Sequence, residues 1–130
     1  LTRTQGQSSL EQPLPYRQPF QAAAERYLLL QKEWNIVLGD GQLGMEESVK
    51  KDWVRRMDNL AALLNQLATN PSADKLREAE TALQSFQRRF SRWLGEYEKQ
   101  EPYQVKAWAN RLETVGQLLK YGSQTLGSGR

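Results

Sequence analysis

Apolar side chains recur along most of this chain at alternating steps of three and four residues. Phe20, Ala23, Tyr27, Leu30, Trp34 and Val37 form one such run, and Trp53, Met57, Leu60, Leu64 and Leu67 a second. Leu76, Ala79, Leu83, Phe86, Phe90, Trp93 and Tyr97 form the third, and Val105, Trp108, Leu112, Val115 and Leu119 the fourth. Steps of three and four average 3.5 residues, the spacing of a heptad seam on a helix that packs against neighbours at about 20° with a left-handed twist. The pattern predicts an all-α fold with four helices.

Helix-breaking and capping residues set the expected boundaries. Pro19, Pro71 and Pro102 each suit a first helical position, where the missing N–H removes no hydrogen bond, and Asn70 suits the N-cap before Pro71. Glu46 and Glu47 would meet the positive end of the second helix dipole, and Gly39 and Gly122 suit left-handed C-caps. These signals place the helices at 19–38, 45–69, 71–99 and 102–121. Short connections make neighbours antiparallel, giving an up-down-up-down four-helix bundle with left-handed coiled-coil-like packing; a three-helix core with the fourth helix swapped or docked on a partner is the main alternative. Residues 1–18 have no such period and carry Pro13 and Pro15, which favours an extended arm. Leu14, Tyr16 and Arg17 are its candidate docking residues, and residues 122–130 are expected to form a flexible tail.

Composition narrows the chemistry. The 130 residues include no cysteine and no histidine, which excludes thiol nucleophiles, Ser-His and Cys-His pairs, disulfides and the usual zinc sites. Every seam position is apolar, so the pattern aims no acid–base group or metal ligand inward. Carboxylates such as Glu78, Glu80, Glu96, Glu98 and Glu101 fall off the seam and read as solvated. The loop from Gly39 to Gly44 has three glycines but follows a helix and lacks a Gly-Lys-Ser/Thr ending, so it reads as a turn rather than a phosphate cradle. No enzyme, metal or cofactor is expected. No apolar run reaches the ~18 residues that span a bilayer. The chain starts at Leu1, and a processed N-terminus would allow an exported or organelle-imported protein, periplasmic or lumenal.

Two constellations remain. In the predicted topology Trp34, Trp53, Trp93 and Trp108 fall near one level, as a bulky core layer or as an apolar pocket near one end of the bundle. The basic residues also cluster. Lys50, Lys51, Arg55 and Arg56 are set against one acid, Asp52, and Arg88, Arg89 and Arg92 share a stretch with none. With Arg111 from the fourth helix, these would form a band that the net charge of +3 conceals.

A basic helical bundle of this size, free of cysteine and histidine and preceded by a proline-containing arm, resembles the PsbQ-type extrinsic proteins of photosystem II. The resemblance lies in architecture and charge; no functional residue is carried over from it. It implies an extrinsic subunit of a larger complex. The residues themselves point to a non-catalytic interaction subunit that docks on an acidic protein surface through the basic band and the arm. Arginine-rich recognition favours carboxylate or phosphate over diffuse contact. Nucleic acid is the less favoured partner, because no recognition helix or outward aromatic platform accompanies the arginines. Ligand sensing at the tryptophan layer is a third reading. A partner could also bring the protein to a membrane surface.

Overall fold

The computed structural model describes residues 17–41 and 45–128. The protein is all-helical, with α1 (Arg17–Gly39), α2 (Glu47–Thr69), α3 (Ala73–Trp93), α4 (Gly95–Gln100) and α5 (Pro102–Ser128), and no strand among the described residues. Leu14 and Tyr16 lie outside the described residues, as does the Arg17 side chain.

Helices α1, α2, α3 and α5 pack in a closed ring: α1 on α2 and α5, and α3 on α2 and α5, with the short α4 against α3 and α5. In the α1–α5 pair, Phe20 approaches Gly122 while Glu33 reaches Trp108, so these two helices run in opposite directions. The α2–α3 pair does the same, with Trp53 on Trp93 and Arg56 on Ser85. All residues of the four apolar runs are buried except Val37, which is partly exposed against the core. The heptad seams therefore form the interior, and burial of their apolar surface drives the packing.

Several boundaries differ from the sequence expectation, each for a local reason. Helix α1 begins at Arg17, which leaves Pro19 in the first turn, where backbone N–H groups have no intrahelical acceptor anyway. Helix α2 begins at Glu47, two residues later than expected, with Glu46 at the N-cap but no side-chain capping bond. Asn70 closes α2, its N–H bonded to Gln66 O at 2.9 Å, rather than opening α3. Ser72 caps α3 instead: its backbone is extended and its Oγ accepts the Lys75 N–H at 3.2 Å.

The predicted helix over 71–99 is two helices. The break falls at Leu94, whose backbone leaves helical geometry (φ −99°, ψ 13°) just before Gly95. Leu94 is fully buried, so the bend adds a side chain to the core that an unbroken heptad would place on the flank. Gly39 ends α1 without taking a left-handed conformation; Gly41, with φ +70°, takes it. Nor does Gly122 end the last helix. Helix α5 continues to Ser128, through most of the stretch expected as a tail, and Gly122 is buried against the Phe20 ring.

Candidate functional site

The tryptophans form a connected aromatic interior. Trp93 stacks on Trp53 (centroids 5.9 Å apart), Trp53 leans on Trp34 (5.8 Å), and Trp34 meets Trp108 edge to face (6.3 Å). Phe86 stacks on Trp34 at 5.5 Å and Tyr97 on Trp108 at 5.5 Å. Trp34, Trp53 and Trp108 are at most 1% exposed. The rings are in contact with one another, as in a packed layer. The indole N–H groups of Trp34 and Trp53 are buried with no acceptor among the described residues, whereas that of Trp108 donates to Glu33 Oε1 at 3.0 Å. Tyr27, on the same layer, donates its hydroxyl to Met57 O at 2.9 Å. Burial, and secondarily the Asp58 charge, hold the Tyr27 hydroxyl far above the usual tyrosine range, so it stays a donor.

The eight candidate basic residues divide between faces. Arg111 is separate from the rest: it spans α5 to α1, with Nη1 2.9 Å from Glu33 Oε2. The same carboxylate holds Trp108, and these two hydrogen bonds, with the Arg111 charge, keep Glu33 below the usual carboxylate range despite partial burial. Arg111 and Glu33 thus tie α1 to α5, on the side of the ring opposite the α2–α3 pair. Lys51 lies seven residues before Asp58, whose carboxylate accepts from Gln31 of α1 at 2.8 Å, so Lys51 sits on the α1 side of α2. Lys50 is in line with the buried Met57 and is 4.0 Å from Glu47.

Arg55, Arg56, Arg88, Arg89 and Arg92 remain together on the outer face of α2 and α3. Arg56 fixes the assignment: its Nε is 3.2 Å from Asp52 on its own helix, and its Nη1 reaches Ser85 Oγ of α3 at 3.5 Å. Arg55 Nη2 is 2.7 Å from the same Asp52. Burial raises the Asp52 carboxyl, but the hydrogen bonds and charges of Arg56 and Arg55 outweigh it and hold the group below its ordinary value. One carboxylate therefore serves two guanidinium groups. Arg92 follows Ser85 by seven residues and shares its stripe. Arg88, Arg89 and Arg92 have no carboxylate within 4.0 Å among the described residues, and Arg88 and Arg92 are exposed. Spacings of three and four residues on one helix make these charges repel.

Next to the arginines, towards the α2–α3 turn, lies an open cleft of about 740 Å³. Its walls include Asn59, Leu63, Glu78, Thr81, Ala82 and Ser85. Leu63 and Ala82 are partly buried apolar residues packed on the core. The sequence reading missed this cleft. Its signal was present: both residues immediately precede a seam position and face each other across the α2–α3 contact, and Ala82 is too small to fill the space.

Among the described residues no group of three or more acidic, histidine or cysteine side chains could hold a metal ion, and no helix is long and apolar enough to cross a membrane. Comparison with family models, with curated proteins and with solved structures gave no match, so the functional reading rests on this chain's own geometry.

Proposed function

We propose that the chain is a non-catalytic interaction subunit that docks on an acidic protein surface of a larger assembly through the arginine face of α2 and α3. In this reading α1, α2, the interrupted α3–α4 rod and α5 form an antiparallel up-down-up-down four-helix bundle with left-handed packing. The residues before α1 serve as a second docking element. One observation carries the proposal: among the described residues the carboxylate within 4.0 Å of these five arginines is Asp52, which Arg55 and Arg56 already share. Such a cluster repels itself in isolation and gains most from an external anionic partner. Guanidinium groups favour carboxylates because their forked donors match two oxygens.

The test is binding of a fluorescent glutamate-rich peptide to the whole chain, followed by anisotropy at about 0.05 M salt. Replacing Arg88, Arg89 and Arg92 with Glu should weaken binding by at least about tenfold, roughly 1.4 kcal/mol. Replacing Lys51, Lys106 and Lys120, all exposed, with Glu makes the same change of charge elsewhere and should cost far less. Equal losses in the two variants would reduce the effect to net charge and defeat the proposal. Tighter binding to duplex DNA, with a steep loss between about 0.05 and 0.2 M salt, would assign the face to nucleic acid instead.

A further inference from the structure

The cleft and the arginine cluster are one surface repeated along the helix axes. Moving seven residues along α3 carries Thr81 to Arg88, Ala82 to Arg89 and Ser85 to Arg92. The same step along α2, in the opposite chain direction, carries Asn59 to Asp52 and Leu63 to Arg56. Seven residues of helix span about 10.5 Å. An apolar-floored groove at the turn end thus passes, two helical turns on, into a cationic stretch where Arg88, Arg89 and Arg92 have no carboxylate within 4.0 Å among the described residues. Both halves lie between the same two helices, and Arg56 bridges them at the join through Ser85.

We infer that this face receives an amphipathic helix of the partner, lying along the α2–α3 groove, with an apolar side chain over Leu63 and Ala82 and acidic side chains about seven residues away against Arg88, Arg89 and Arg92. This deepens the proposed function and rests on it. A helix fits because its own repeat matches the repeat of the surface: residues i and i+7 on one face are separated by the same two turns as Ala82 and Arg89. Charge selects the partner's polarity. The cleft wall at the turn end carries Asp74 and Arg77, paired with each other at 3.3 Å, and the further carboxylate Glu78. Acidic side chains at that end would meet Glu78, whereas at the other end they meet three cations without carboxylate partners. The apolar contact adds affinity that salt does not screen, and the arginines align the helix.

The experiment uses three labelled synthetic peptides of about four helical turns against the whole chain. The first carries a glutamate pair seven residues from a leucine, the second has that leucine replaced by serine, and the third has both glutamates replaced by lysine. The first should bind at least about tenfold more tightly than the second, and the third should not bind. Ala82→Gln, which projects a polar side chain into the groove, should remove the preference for leucine while the weaker binding of the serine peptide persists. Arg88→Glu with Arg89→Glu should abolish both. Circular dichroism of each variant checks that the helices are intact. Equal affinity for leucine and serine peptides would overturn the groove and leave the arginine face standing. Absence of binding by both acidic peptides at low salt would overturn the two readings together. Binding of the lysine peptide would overturn the charge argument.

Discussion

Glu33 shows how one flanking residue can hold two helices. Its carboxylate accepts the Trp108 indole N–H and pairs with Arg111, so it satisfies a largely buried donor and a guanidinium at once. At 41% exposure the ion pair is screened by solvent, so Glu33→Gln should cost about 1 kcal/mol or less. Glu33→Ala should cost more, about 1–3 kcal/mol, because it also strands the Trp108 N–H. The sign with pH follows from the lowered folded pKa. The extra stability is complete above the ordinary value of 4.5 and is lost as pH falls through the folded value. Urea unfolding at about pH 7 and about pH 3 should therefore show the wild type and Glu33→Gln converging in acid. A constant difference between them would contradict this account. The acidic and basic partners of this contact are far apart in the chain, and no local pattern in the sequence joined them.

At the scale of helices, two glycines in α5 make opposite predictions. A Cβ on Gly116 would sit 3.4 Å from Leu83 Cδ2, an ordinary contact, so Gly116→Ala should raise stability by about 0.5–1 kcal/mol through helix propensity. A Cβ on Gly122 would meet Phe20 Cζ at 2.7 Å and Cδ1 at 2.9 Å, and Phe20 is fully buried. Gly122→Ala should cost about 1–3 kcal/mol despite the same gain in propensity. Thermal melts of the two variants, moving in opposite directions, test this. The heptad runs made the helices legible, since a period of 3.5 appears directly in the order of residues. Helix ends were less legible. Gly122 reads as a cap from its residue type and as an approach point only when Phe20 is placed opposite it. The break at Leu94 is similar: Leu94 is buried in the core there, and burial is not a property of a single residue.

Across the whole molecule, the small net charge conceals an uneven distribution. Arg55 and Arg56 share the one charge of Asp52, and Arg88, Arg89 and Arg92 add three cations on the same face with no carboxylate within 4.0 Å among the described residues. If that surplus exists for a partner, removing it should benefit the free protein. Arg88→Glu introduces a favourable pair with Arg92 four residues on. It should stabilise the chain by about 0.3–0.5 kcal/mol at low salt while weakening capture of an acidic peptide. The gain should vanish near about 1 M salt, where surface charges are screened. Destabilisation at low salt would indicate that these arginines support the fold.

The sequence by itself determined the all-helical class, the apolar seams and the clustering of cations along α2 and α3. All of these depend on spacing within a single helix. Tertiary structure decided which cations belong together. It moved Arg111 to a contact with Glu33, turned Lys51 towards the α1 side and brought Arg56 against Ser85. It also opened a cleft beside the arginines, over Leu63 and Ala82. The physical reason is that a helix presents each side chain at a fixed angle, whereas its neighbour there depends on the packing and axial register of another helix. Periodicity gives the first; only the assembled core gives the second.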